Sequence, residues 1–206
     1  MTILRSDSGR RYCLTGSMDG PMTRSHLGLG TVALLFVVTT GAASQEHGHP
    51  SEQLGSVHFQ TSCSPAVTPQ FDRAVSLLHS FEFGASIRAF TDVLAADSTC
   101  AMAQWGIALS RWTNPMAAGI RPPAQLKLGK AAADAAARSS ANATERERGY
   151  VNAVSQLYAD YEHADQHARV VAYERAMADL VARQPADTEA KIFYAVAQAA
   201  SAPPTD

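Results

Sequence analysis

The side chains best suited to metal chemistry lie in one short stretch. His47 and His49 flank a single glycine, and His58 and Cys63 follow within the same region. Imidazole and thiolate groups suit copper or zinc. The spacing differs from that of a closed zinc site, and flexible His-rich leaders are common directly after a cleaved signal. Two interpretations therefore stay open, a metal-handling leader built on the three histidines and a solvated linker.

Other ionisable groups cluster without a recognisable catalytic partner. Asp160, Glu162 and Asp165 stand beside Tyr158 and Tyr161 and could form an acid–base pair. No nucleophile or metal motif accompanies them, which favours a solvated helix end. His79 stands beside an apolar stripe, where we expect a histidine at the helix surface or the core edge. We therefore expect no catalysis, no catalytic residue and no cofactor.

The amino-terminal segment has the pattern of an export signal. Arg24 and His26 precede an apolar run at residues 27–43, and small residues follow before the chain turns polar. A cationic start, a short apolar stretch and a small-residue cleavage site define a secretory signal. The run is short for a membrane-spanning helix and contains three glycines. We predict a targeting segment at residues 1–44 and an exported protein, periplasmic or secreted.

Three alternatives to this prediction remain. Residues 27–43 could stay uncleaved as a membrane anchor or form a buried core helix, and Arg10-Arg11 could belong to a twin-arginine signal. The first 21 residues fit a signal poorly, because polar sequence precedes the cationic start. Translation from Met22 (or Met18) would give a conventional signal peptide at residues 22–44.

Cysteine usage follows from the predicted compartment. Cys13 falls in the targeting segment, which leaves Cys63 and Cys100. Cysteine pairs in exported proteins are commonly oxidised. A Cys63–Cys100 disulfide is the favoured interpretation; two buried thiols, or a metal or redox site, are the alternatives.

Composition and periodicity indicate the elements that position these groups. The 206 residues carry 17 basic and 19 acidic side chains, a near balance that excludes a generally basic nucleic-acid binder. Residues 45–67 are rich in His, Ser, Gly and Pro and predict a flexible linker. Residues 68–206 predict an all-α region, because apolar side chains recur there at helical spacing and no stretch has the alternation of a strand. About seven helices are expected, with a capping box at Thr144–Glu147.

Two stretches within this region repeat the same spacing. The first is Ser86-x3-Phe90-x2-Val93-x4-Ser98, followed by the aromatic and small residues of 103–108. The second is Tyr173-x3-Met177-x2-Leu180-x4-Pro185, followed by Phe193-Tyr194-Ala195. These intervals resemble those of the tetratricopeptide repeat (TPR), a helix–turn–helix unit of about 34 residues. From about Val57 onward, the string HFQTSC…LLHSFEF…STCAMAQWGIALS…NP is similar to a group of exported bacterial TPR proteins.

The resemblance implies a solenoid of stacked helical hairpins that contacts a protein or peptide partner. It supplies no catalytic residue. Seven helices make three and a half hairpins, and members of the group generally continue further, so we expect the region to be truncated at its carboxyl end. One helix face carries a stripe of four apolar residues: Met102, Trp105, Leu109 and Trp112. The stripe is a candidate peptide groove, although such a stripe is also typical of core packing.

The sequence therefore predicts an exported TPR-repeat protein that serves as a scaffold or assembly factor. The expected partner is a protein or peptide. Nucleic acid is not expected to bind, and a membrane would be contacted only through an uncleaved amino-terminal segment. The alternative function is metal handling in the periplasm through His47, His49 and His58.

Overall fold

The computed structural model describes residues 54–117 and 119–203. Within these ranges the protein is all-α, as expected, with seven α-helices, two short 3₁₀ turns and no strand. The targeting segment and residues 45–53 of the expected linker lie outside the described residues. The helices are α1 (Thr68–His79), α2 (Phe83–Ala96), α3 (Ala101–Trp112), α4 (Pro123–Ser139), α5 (Glu145–Gln156), α6 (Gln166–Arg183) and α7 (Thr188–Ser201).

Side-chain caps fix where several helices begin. The predicted capping box is present: the Thr144 side chain accepts from the backbone N–H of Glu147, whose carboxylate accepts from the Thr144 N–H. The Asp165 and Asp187 carboxylates cap α6 and α7 by accepting from the backbone N–H groups of Ala168 and Ala190. The Asp165 cap fixes the start of α6 at Gln166. These caps account for part of the local stability of each helix start.

Helices that follow each other in the chain pack against each other. Short connections at residues 80–82 and 97–100 join α1 to α2 and α2 to α3. Helix α3 also contacts both α1 and α5, which places the three helices in one layer. The approach of α2 to α3 is so close that a Cβ on Gly106 would lie 2.3 Å from the Phe90 ring. A glycine is therefore required at this crossing.

Two buried arginines close the carboxyl ends of α3 and α5. Arg121 donates to the backbone oxygen of Trp112 at 3.1 Å, and Arg169 donates to that of Leu157 at 2.6 Å. The Arg121 guanidinium also lies 4.4 Å from the centre of the Trp112 ring. Burial lowers the pKa of both guanidinium groups. Their positive charges face the negative ends of two helix dipoles, which favours this arrangement.

The last helix described meets the first. His79, at the end of α1, lies 2.7 Å from the Glu189 carboxylate on α7, and its ring stacks on Phe193 with centroids 5.0 Å apart. His79 is thus at the core edge, within the range of positions expected for it. The contact joins residues that are far apart in the chain.

Candidate functional site

An extended segment, residues 54–64, lies across the layer formed by α1, α3 and α5. Inward residues alternate with exposed ones, as in a β-strand. Val57, Thr61 and Cys63 are partly buried, and Phe59 is only 2 % exposed. The sequence predicted a flexible linker here; the structure instead packs residues 54–64 against the helices. We call this stretch the docked segment.

Phe59 anchors the docked segment in a cluster of aromatic rings. Its ring centroid lies 5.6 Å from that of Phe71 on α1, 5.4 Å from Trp105 on α3 and 5.2 Å from Tyr150 on α5. Trp105 in turn meets Phe193 of α7 edge to face at 5.4 Å. Tilted and edge-to-face pairs at these distances add to the energy of burial. The Phe59 ring therefore contacts three helices, and Trp105 links it to a fourth, α7.

Side chains of α1 bind the main chain of the docked segment. The backbone N–H of Phe59 donates to the Asp72 carboxylate at 2.9 Å. The Ser76 hydroxyl donates to the backbone oxygen of Gly55 at 3.1 Å. Asp72 and Ser76 are four residues apart and so lie on one face of α1. The segment consequently follows that face.

Helix α5 holds the other end of the docked segment. The backbone N–H of Ser62 donates to Glu147 at 2.6 Å, and Arg146 donates to the backbone oxygen of Gln60 at 2.7 Å. Burial raises the pKa of Glu147, but hydrogen bonds from Ser62 and Thr144 outweigh it and lower the pKa overall. Glu147 is therefore a charged acceptor, which strengthens its hydrogen bonds.

Arg146 joins the docked segment to the start of α7. Its Nε lies 2.6 Å from Asp187, which also accepts a hydrogen bond from the Tyr150 hydroxyl at 2.9 Å. The guanidinium lies 4.5 Å from the centre of the Phe59 ring, within the range of a cation–π contact. Burial is the largest influence on the pKa of Tyr150, which it raises. The phenol therefore stays neutral and acts as a donor.

A disulfide fixes the carboxyl end of the docked segment. Cys63 is bonded to Cys100 at the start of α3, the pairing that the sequence favoured. A carboxylate oxygen of Asp97 also lies close to both sulfurs. Because the sulfurs are bonded to each other, this group has no free thiolate for a metal.

The candidate metal ligands are only partly described. His47 and His49 lie outside the described residues. His58 is almost fully exposed, and its Nδ1 lies 3.6 Å from the Asp72 carboxylate. Metal binding by the three histidines stays a prediction.

The residues of the stripe proposed as a peptide groove pack against different neighbours. Met102, Trp105 and Trp112 are buried, and Leu109 is half-buried. Only Trp105 has a ring contact with the docked segment, whereas Trp112 packs edge to face on Tyr158 at 5.8 Å. The surface that holds an extended chain is thus centred on Trp105 and includes residues the sequence analysis did not select: Phe71, Asp72, Arg146, Glu147 and Tyr150.

Two of the acidic residues beside Tyr158 and Tyr161 have structural partners. Asp160 lies 2.7 Å from the His163 ring, and Asp165 caps α6. The Tyr158 hydroxyl donates to the backbone oxygen of Ala108 at 2.6 Å. These contacts agree with the interpretation of a helix end.

Comparison of the chain with protein-family models, curated proteins and solved structures found no match in any of the three. The function is therefore inferred from the geometry of the docked segment and its surroundings. No helix among the described residues combines the length and apolar character needed to cross a membrane. The disulfide is typical of an oxidising environment.

Proposed function

We propose that this protein is an exported TPR-type helical-repeat protein that binds an extended peptide segment of a partner protein. In this proposal it acts as a scaffold or assembly factor and carries out no catalysis of its own. One observation carries the proposal: the layer of α1, α3 and α5 already holds an extended stretch of chain, its own residues 54–64.

The contacts to the docked segment are of the kind that recognise peptides. Asp72, Glu147 and Arg146 bind backbone groups of the segment, so these contacts do not depend on its side chains. Phe59 supplies a single deeply buried anchor. Main-chain hydrogen bonds for affinity and one side-chain pocket for specificity are a recurrent mode of peptide recognition, and buried aromatic anchors are frequent hot spots.

The repeat resemblance gains support from where its residues lie. Ser86, Phe90 and Val93 are all buried on α2. Tyr173, Met177 and Leu180, which have the same spacing, are all buried on α6. In a TPR unit these positions pack the second helix of a hairpin, so each stretch has a packing reason for its residue types. The two helices then belong to equivalent hairpins, α1–α2 and α5–α6.

In the proposed mechanism the docked segment competes with the partner. A partner peptide takes the place of residues 54–61, while the disulfide keeps Cys63 attached to α3. The partner therefore needs an aromatic anchor that replaces Phe59 and an extended backbone that pairs with Asp72 and Arg146. A tethered occupant also keeps the aromatic cluster out of water when no partner is present.

A competition experiment tests this function. A fluorescent peptide corresponding to residues 54–64, with serine in place of Cys63, is titrated into the oxidised full chain and into its Phe59→Ala variant. We expect at least about 100-fold tighter binding to the variant, because loss of a buried phenylalanine weakens the tethered competitor by about 3 kcal/mol or more.

His58→Ala is the matched control. It changes the neighbouring residue of the same segment, but its side chain is exposed, so binding should equal that of the wild type. A Phe59→Ala variant that retains its helical circular dichroism and still fails to bind the peptide would contradict the proposal. Binding of a peptide whose own phenylalanine is replaced by alanine would contradict the anchoring role of the ring.

A further inference from the structure

A second site lies apart from the docked segment. A cavity of about 180 Å³ opens among the later turns of α1, α3 and α7 and the first half of α6. Its aliphatic wall comes from Leu78, Leu109, Leu157, Val170, Val196 and Ala197. Phe81 and Ile192 also line it and are 53 % and 40 % exposed, so the cavity has an apolar mouth at the surface.

Rings dominate the remainder of the cavity wall. Phe83, Trp112, Tyr173 and Phe193 all contribute, together with the His79 imidazole that stacks on Phe193. Aromatic rings pair favourably with one another through offset or edge-to-face contacts. The wall therefore makes more favourable contacts with a flat ring than with an alkyl chain of equal size.

Two rim residues have a backbone conformation that L-residues rarely adopt. Phe81 has φ 61° and Thr113 has φ 63°. Thr113 is β-branched, for which a positive φ is a marked outlier. Such strain is concentrated at ligand-binding and catalytic positions in proteins. Both strained residues line this one cavity.

One polar group in the wall lacks a partner. Tyr173 is 7 % exposed, and its hydroxyl makes no hydrogen bond to any part of the chain that the structure describes. The hydroxyl oxygen keeps some accessible surface, so a polar group from outside the protein can reach it. Burial raises the pKa of Tyr173, so the group is a neutral phenol that can donate or accept. It is suited to a single polar substituent on a ligand.

The volume sets the size of the ligand. An apolar protein cavity of about 150 Å³ accommodates benzene. A cavity of 180 Å³ has room for one ring with a small substituent. We propose that it binds a small, neutral, monocyclic aromatic molecule with one hydroxyl-sized polar substituent, of which phenol is the simplest example, and that this substituent pairs with the Tyr173 hydroxyl.

The test uses the oxidised full chain and 4-fluorophenol, followed by ¹⁹F NMR. Ala200→Leu places a larger side chain in the cavity wall, whereas Ala195→Leu makes the same change at an exposed position of α7 that does not line it. We expect wild type and Ala195→Leu to bind equally and Ala200→Leu to lose binding at least tenfold. Equal binding by all three would overturn the proposal.

Tyr173→Phe tests the polar pairing. We expect this variant to bind 4-fluorophenol about tenfold more weakly and fluorobenzene with unchanged affinity, because only 4-fluorophenol has a hydroxyl group to pair with Tyr173. An equal effect on both ligands would overturn the pairing. Hexan-1-ol that binds as tightly as phenol would overturn the preference for a ring.

Two further measurements determine where the ligand binds and whether it is a small molecule. Should Ala200→Leu fail to fold, nuclear Overhauser effects from the ligand ring to the Ala197 and Val196 methyl groups decide the site, and their absence overturns it. Binding of a phenylalanine-containing peptide at this cavity, with none of the free ring compounds bound, would overturn the assignment to a small molecule.

Discussion

Asp187 has three contacts that depend on its negative charge. It caps α7 through the Ala190 N–H, pairs with Arg146 and accepts a hydrogen bond from Tyr150. Burial raises its pKa, but these partners outweigh burial and lower the pKa below the ordinary value of 3.8. The carboxylate therefore stabilises the folded protein at neutral pH. This contribution is complete above the unfolded-state pKa and is lost as pH falls through the lower folded-state value.

Asp187→Asn should consequently change stability in a pH-dependent manner. We expect the free energy of unfolding to fall by about 1.5–3 kcal/mol at pH 7, because charged hydrogen bonds are lost. The difference from wild type should shrink below about pH 3.8, where the wild-type carboxyl begins to be protonated. Urea denaturation of both proteins from pH 7 to pH 2.5 measures the loss at neutral pH and its decrease at low pH. A difference that stays constant across this range would contradict the assigned charge.

Gly106 offers a second test at the residue scale. Gly106→Ala places a methyl group 2.3 Å from the Phe90 ring, and we expect a loss of about 1–3 kcal/mol from overpacking. Gly84→Ala on α2 is the control, since the nearest atom to its new methyl group is a flexible Arg88 nitrogen at 3.7 Å. It should be neutral or slightly stabilising. Similar losses for both variants in thermal unfolding would show that the close approach is not the cause.

At the scale of elements, the disulfide joins the docked segment to the start of α3. It closes a loop over a sequence separation of 37 residues. Replacing both Cys63 and Cys100 with serine should lower the free energy of unfolding by about 4 kcal/mol. Guanidinium denaturation of the variant and of reduced wild type measures this loss, and the two should agree. A double variant as stable as the oxidised protein would contradict the role of the bond.

Much of the helical organisation can be predicted from the sequence, because its signals are local. The Thr144–Glu147 capping box, the Asp187 cap and the apolar periodicity each lie within a few residues of the element they define. The Cys63–Cys100 pairing could be favoured from residue type and predicted compartment. The start of α6 likewise depends on a local signal, the cap supplied by Asp165.

The candidate sites depend on contacts between distant residues, and sequence reasoning missed them for that reason. Residues 54–64 have the composition of a linker, and only the apolar alternation of Val57 and Phe59 hinted at an extended, one-sided segment. Its docking requires Asp72 and Glu147, which lie in different helices. The apolar cavity requires four helices at defined angles, and no local pattern encodes those angles.

At the scale of the whole described region, Trp105 connects its two ends. Its ring contacts Phe59 in the docked segment and Phe193 on α7, while His79 joins α1 to Glu189. Contacts between the two ends of the described region favour unfolding of that region as one unit over stepwise loss of hairpins.

We therefore expect a single cooperative transition. Tryptophan fluorescence and the circular dichroism at 222 nm should give the same midpoint in denaturant. In a double-mutant cycle, His79→Ala and Glu189→Ala should be coupled by at least about 0.5 kcal/mol. Separate midpoints for the two probes, or strictly additive effects of the two substitutions, would contradict this prediction.

The position of Phe59 has a consequence for how the chain acquires its structure as it is made. Its ring partners emerge progressively later, Phe71 and Trp105 first and Tyr150 only some ninety residues after Phe59 itself. A nascent chain therefore lacks the last ring partner of this anchor while about ninety further residues are made. Cys100 emerges well before Tyr150, so oxidation can tether the segment beside α3 before its final partners exist. The disulfide then keeps Phe59 close to α3, so that only a local rearrangement is needed when Tyr150 becomes available.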